Sequence, residues 1–171
     1  MPTRENVVDP SARLLSPVWA RYTSIVADRA EGCYIYDGAG DRYLDFSSGI
    51  GVANTGHCHP RVVAAAQEQV ARLIRGQANI VYHKPMLRLA EKLAAVVPPG
   101  LERFFFANSG AEAIEAAIKL ARYASGRSAV VTFEGGFHGR TIGALSLTSS
   151  KSKYKAHMGP YMPGVYTTPY P

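Results

Sequence analysis

RFFFANSGAEAIEAAIKLARYASGRSAVVTFEGGFHGR, residues 103–140, decides how the rest of the chain is read. Arg103–Ala107 is a short aromatic run bounded by turn residues, as a buried strand would be. Ser109 followed three residues later by Glu112 is a capping-box pattern, so a helix is expected to start there. Ile114, Ala117, Ile118 and Ala121 then recur at i, i+3, i+4 and i+7 and form an apolar stripe. Glu115 and Lys119 stand one turn apart on the opposite face, in the order that favours an ion pair. Gly126 suits the C-cap, and Ala129–Phe133 is a second apolar, β-branched run. The order strand, helix, strand predicts a βαβ unit with parallel strands.

That topology has a chemical consequence. Both turns, Asn108–Ala111 and Glu134–Arg140, leave the carboxyl ends of strands, the edge at which open α/β sheets bind ligands. The first turn presents a helix N-terminus, whose free amides and positive dipole end suit an anion. Gly110 and Ala111 carry little side chain, so a phosphate has room to approach. The second turn brings Phe137, His138 and Arg140 to the same edge. A phosphate seat, a ring to stack on and a cation for a carboxylate suggest a flat phosphorylated cofactor with a carboxylate substrate. A nucleotide-binding module is the competing reading. Against it, Asn108–Ala111 fits neither G-x-G-x-x-G nor a Walker pattern.

NSGAEAIEAAIKLAR and FEGGFHGRT, with YLDFSSGIGVANTGHCHPRVVAA upstream, resemble the class III (ω-amino) pyridoxal-phosphate aminotransferases. The GI-x-V-x-NTGH form at residues 49–57 is similar to the 4-aminobutyrate enzymes, with acetylornithine/ornithine aminotransferases as the runner-up. The resemblance covers Cys33 to Pro171. It implies an α/β fold, the N-terminal part of an aspartate-aminotransferase-like (fold type I) transferase. A mostly parallel sheet flanked by helices would be accompanied by a small N-terminal β-hairpin segment. Residues 1–58 would be arm and small domain, and residues 59–171 the first part of the large cofactor domain.

It further implies pyridoxal 5′-phosphate as cofactor, with its phosphate on Ser109, Gly110 and Ala111. Phe137 would stack on the pyridine ring, with His138 beside it. Arg140 would pair with the substrate carboxylate, as a planar two-pronged donor suits that group. Ile50 has two readings, a buried loop anchor or a wall of the substrate pocket. An amine donor, a 2-oxo acid acceptor and a homodimer follow by resemblance, with the loop Arg75–Lys84 near the partner's site. None of Lys84, Lys92, Lys119, Lys151, Lys153 and Lys155 matches the family's Schiff-base lysine. No catalytic residue is therefore assigned, and the lone chain is expected to be inactive, as a fragment or a truncated, non-catalytic paralogue.

The remaining sequence narrows the choice. The chain has 171 residues, a net charge of +6 and scattered basic residues, which suits anionic substrates and carries no nucleic-acid motif. No window is long and apolar enough for a membrane span, and the first residues do not read as a secretory signal. Cytoplasm is the expected compartment, and Cys33 and Cys58 are too few for a disulfide framework. His57 and His59 flank Cys58, but a third ligand is not evident, so both read as structural hydrogen-bonding groups and no metal is assigned.

Met1–Ala30 reads as an arm or irregular lead-in with some helix, and Trp19, Tyr22 and Ile25, at helical spacing, read as its anchoring residues. Cys33–Phe46 reads as a hairpin, and Pro60–Ile74 and Pro85–Val97 as helices, the second stopped by Pro98-Pro99-Gly100. The second carries Leu89, Leu93 and Val96 on its inner face. Thr141–Leu147 is expected as a short helix, Val165–Thr167 as a strand, and Lys151, Lys153, Lys155 and His157 as a solvated face.

Overall fold

The computed structural model describes residues 10–18 and 21–171. They fall into two units, residues 1–83 and 84–171.

In the first unit the expected hairpin is present and gains a strand. β1 (Ala27–Glu31), β2 (Tyr34–Asp37) and β3 (Arg42–Leu44) form an antiparallel meander in that order. Tyr34 pairs with both Glu31 and Leu44, so β2 is the central strand. The β2–β3 turn is fixed by Asp37. One carboxylate oxygen accepts the Ala39 and Asp41 amides at 3.0 and 2.9 Å, and the other accepts the Tyr43 hydroxyl at 2.9 Å. The Tyr43 bond first, then the turn amides, hold the Asp37 carboxyl below its ordinary range.

β1 adds a strand that the reading of an irregular lead-in with some helix did not contain. Tyr22 and Ile25 lie in irregular backbone, and Trp19 lies outside the described residues. The helical turn present is a short 3₁₀ segment, Pro10–Leu14. Ala-Asp-Arg-Ala-Glu has no strand propensity of its own. Its ladder with β2, and Arg29 lying 3.6 Å over the Tyr36 ring, override that local preference.

After β3 comes a single tight turn, α1 (Ser48–Gly51), and then α2 (Pro60–Arg72). Pro60 opens α2 with its missing N–H where none is needed, and the His59 ring accepts the Arg61 amide as N-cap. α2 ends at Arg72, two residues short of the sequence expectation, because Leu73 is extended.

The second unit holds α3 (Lys84–Ala94), α4 (Gly110–Ser125), β4 (Val130–Phe133), α5 (Ile142–Leu147) and β5 (Val165–Thr168). α3 ends at Ala94, ahead of Pro98 and three residues before the predicted end. Its inward face is not covered, with Leu89 and Val96 exposed. Capping at α4 follows the sequence. Ser109 Oγ accepts the Glu112 amide at 3.2 Å, and Gly126 closes the helix in the left-handed region at φ 68°.

The predicted strand Arg103–Ala107 is not formed. β4 pairs in parallel with β5, Val130 opposite Val165 through Phe133 opposite Thr168, and Arg103–Ala107 has no ladder partner among the described residues. A strand exists through its neighbour's N–H and C=O groups, so an aromatic run without one stays irregular. Phe105 and Phe106 are accordingly exposed. The parallel crossover is therefore β4–α5–β5, not Arg103–Ala107 to β4. The buried core comprises Ile118 of α4, Thr132 of β4, and Ala144, Leu145, Ser146, Leu147 and Thr148 on and just after α5.

Candidate functional site

The two corners meet at Gly139. A methyl group at that position would lie 2.8 Å from the Ala111 Cβ, 3.0 Å from the Ala111 Cα and 2.9 Å from the Ala144 Cβ. The Phe137–Arg140 backbone thus rests on the first turn of α4 and on α5. Gly139 is buried with φ +139°, where an L side chain is strained, so this position needs glycine for conformation and for space. The one-rim arrangement expected from strand topology is present, although the Arg103–Ala107 strand that suggested it is not.

At the first corner the amides of Gly110 and Ala111 make no hydrogen bond to the described residues. The space beside Gly110 is open, with nothing within 4 Å of an added Cβ. Glu112 shares this helix end, but its carboxylate turns back to the Asn108 amide at 2.7 Å and the Asn108 side chain at 3.2 Å. Ser109, Asn108 and Glu112 therefore settle the cap among themselves and leave two donors facing outward.

The second corner is held from below by threonines. The His138 amide donates to Thr148 Oγ1 at 3.0 Å, and its ring Nε2 lies 3.3 Å from Thr132 Oγ1. Thr132 has one hydroxyl proton, and the Leu147 carbonyl 3.2 Å away takes it, which leaves Nε2–H of His138 as the donor to Thr132. The imidazole is thus turned inward, whereas Phe137 and Arg140 are exposed. Arg140 makes no ion pair or hydrogen bond with the described residues, so its guanidinium is open to a ligand.

Sequence reasoning missed the tie between the corners. Glu115 does not pair along its own helix with Lys119. Its Oε1 accepts the Thr141 hydroxyl at 2.5 Å and the Ala144 amide at 3.1 Å, capping α5 from α4. Gly143 leaves room for that carboxylate. The signal was present but ambiguous, since a Glu on a polar helix face reads equally as an i,i+4 partner. Lys155 also departs from the solvated-face reading. Its Nζ donates to the Ser146 carbonyl at 3.0 Å and sits over the Tyr161 ring at 5.0 Å.

A hollow of about 550 Å³ lies between the α4 stripe (Ile114, Ala117, Ile118, Ala121) and β4. His138 reaches it, but Ser109, Gly110, Phe137 and Arg140 do not line it. It is lined from α4 and from β4 and the residues after it, not by the phosphate-seat and guanidinium residues of the rim.

In the first unit, Ile50 sits in a turn of left-handed hand. Ser48, Gly49, Ile50 and Gly51 all have φ between 47° and 79°. A β-branched residue there is strained. Ile50 is 94% exposed, which overturns the buried-anchor reading. Asp45 pins the turn. One oxygen accepts the Ser47 amide and hydroxyl and the Ser48 amide, and the other takes His57 Nε2 at 2.8 Å. The Ser47 hydroxyl first, then His57, lower the Asp45 pKa to about 2. His57 and His59 are thus both engaged in hydrogen bonds, to Asp45 and to the start of α2.

Solved transaminases share this architecture. The chain superposes on the ornithine aminotransferase of Toxoplasma gondii with a TM-score of 0.81 at 28% identity, covering 94% of this chain and 38% of that one. An (S)-selective ω-transaminase of Thermomicrobium roseum gives 0.79 at 33% identity, covering 85% and 34%. The fold is that of a fold type I, pyridoxal-phosphate-dependent transferase. A family profile described as aminotransferase class-III matches residues 15–171. The chain belongs to the class III aminotransferase family, whose cofactor is pyridoxal 5′-phosphate.

Among curated relatives it is 49% identical to an acetylornithine aminotransferase of Archaeoglobus fulgidus, over 80% of this chain and 35% of that protein. It is 44% identical to a probable 4-aminobutyrate aminotransferase of Bacillus subtilis, over 85% and 34%. The chain thus spans about a third of the length of these relatives.

Proposed function

We propose that this chain provides the phosphate seat, the ring stack and a carboxylate anchor of an aminotransferase that moves an amino group from an ω-amino acid to a 2-oxo acid. The supporting observation is the contact of Gly139 with Ala111, which puts an anion-binding helix end and the Phe137–Arg140 loop on one rim. The site's chemistry fits the family's cofactor. Two amides at Gly110 and Ala111, unpartnered among the described residues, suit its phosphate, and an exposed Phe137 suits its ring. When bound, the cofactor supplies an electron sink for the carbon that loses its proton.

The protein's part is placement. Ser109 orders the helix end, and the Gly110 and Ala111 amides hold the phosphate without a large side chain in the way. Phe137 covers one face of the ring and excludes water from it. Arg140, without a partner among the described residues, receives a substrate carboxylate as a two-pronged donor. His138 contributes by holding the loop on Thr132 and Thr148.

For the donor, the GI-x-V-x-NTGH run at residues 49–57 favours 4-aminobutyrate with 2-oxoglutarate as acceptor. A second reading, acetylornithine or ornithine, is favoured by the names of several relatives. A donor screen on the protein at its full encoded length, with 2-oxoglutarate and formation of glutamate as readout, separates the two. Turnover with 4-aminobutyrate at least tenfold above both alternatives supports the first reading. The reverse order supports the second, and no turnover with any amine refutes the aminotransferase proposal.

A further inference from the structure

We propose that Tyr154 is a positioning residue for the cofactor ring, acting by fixing the orientation of Phe137. The inference rests on the cofactor reading given above. Phe137 is 55% exposed and stands in a loop whose backbone is tied on both sides. The Gly136 amide donates to Ser149 Oγ at 3.2 Å, and the His138 amide to Thr148 Oγ1 at 3.0 Å. Those bonds fix the chain but not the ring. The aromatic neighbour of the Phe137 ring is Tyr154, with centroids 5.7 Å apart and planes at 72°. An edge-to-face contact occupies at most one face of Phe137 and leaves the other for stacking.

The backbone at Tyr154 is itself held. It closes the 3₁₀ turn Ser152–Tyr154, with its amide on the Lys151 carbonyl at 3.1 Å. The next residue, Lys155, donates through Nζ to the carbonyl of buried Ser146. Ser146 Oγ in turn accepts the Met162 amide at 2.9 Å, and the Tyr161 hydroxyl donates to the Lys155 carbonyl. The backbone segment that carries the Tyr154 ring is therefore tied to α5, the same helix on which Gly139 rests. A Phe137 ring held in this way loses less rotamer freedom when a ligand stacks on it.

The test is equilibrium binding of pyridoxamine 5′-phosphate, which has no aldehyde to react with surface lysines, to the 171-residue chain. Affinity and induced circular dichroism in the ligand's absorption band are both read. Tyr154→Phe keeps the ring and is expected within about twofold of the parent. Tyr154→Ala is expected to weaken binding about 2- to 12-fold, from the usual worth of an aromatic pair, and to change the induced dichroism. In a Phe137→Ala background, Tyr154→Ala is expected to have no further effect. If Tyr154→Ala loses its far-ultraviolet dichroism, Tyr154→Leu, which keeps apolar bulk, is read in its place. Equal affinity and dichroism in the parent and the Ala or Leu variant overturn the inference. So does an equal loss with and without Phe137, which marks general packing. Failure of the parent chain to bind removes the cofactor-seat reading and this inference with it, whereas parent binding with silent variants removes the inference alone.

Discussion

Replacing Gly139 with alanine places a methyl group 2.8 Å from the Ala111 Cβ and 2.9 Å from the Ala144 Cβ, with the Ala111 Cα at 3.0 Å. Carbon atoms rest at about 3.5–4.0 Å, so one partner has to move by roughly 0.5–1 Å. None of these neighbours is the end of a flexible side chain, because all belong to the first turns of α4 and α5. Overpacking of this kind costs about 1–3 kcal/mol. The φ of +139° adds about 1–3 kcal/mol of backbone strain once a Cβ is present. The predicted loss is about 2–6 kcal/mol, a large part of the ~5–15 kcal/mol that a folded domain has.

Gly135→Ala is the matched control. Its φ is +77° and nothing lies within 4 Å, so it reports strain alone, about 1–2 kcal/mol. Denaturant unfolding followed by hydrogen exchange at the α4 and α5 amides measures both. Adding Ala111→Gly to the Gly139→Ala variant removes the 2.8 Å contact but leaves those at 2.9 and 3.0 Å, so rescue is expected to be partial. Equal losses from Gly139→Ala and Gly135→Ala, with no response to Ala111→Gly, would refute the claim that the corners are in contact.

Glu115→Ala removes the acceptor for Thr141 and for the Ala144 amide, and is expected to cost about 2–4 kcal/mol. Glu115→Gln, which keeps an oxygen at the Oε1 position, is expected to cost about half as much, read by thermal unfolding. Gly143→Ala drives the carboxylate off this site and is predicted to be non-additive with Glu115→Ala in a double-mutant cycle. Asp45 has its pKa lowered from 3.8 to about 2, so its stabilisation of the Ser48–Gly51 turn is complete above pH 4 and is lost as pH falls through 2. The Ile50 amide shift is predicted to titrate with a midpoint near 2 and to lose that step in Asp45→Asn; a midpoint near 3.8 would contradict it. The 171-residue chain supplied with pyridoxal 5′-phosphate is predicted to show no transamination, checked by glutamate formation from 2-oxoglutarate, because none of its lysines matches the family's Schiff-base position.

Local signals were legible where the physics is local. The Ser109–Glu112 cap, the Gly126 stop and Pro60 opening α2 all depend on residues a few positions apart. Partnership across the chain was not legible. Arg103–Ala107 has the composition of a strand but lacks a ladder neighbour among the described residues, and β1 has the ladder without the composition. Glu115 was assigned the nearest cation along its helix, whereas the structure gives it the end of another helix. Lys155 looked like one charge in a solvated row until Ser146 and Tyr161 were placed around it. At the site, the sequence named Gly110, Ala111, Phe137 and Arg140 through strand topology. It missed Gly139, whose missing side chain is what lets the corners close.

The shared rim is tested most directly by following the amide resonances of the 171-residue chain while pyridoxamine 5′-phosphate is added. Gly110, Ala111, Phe137 and Gly139 are predicted to shift together with one dissociation constant, and the α2 amides to stay still. Shifts confined to one corner, or different constants for the two, would contradict a single seat.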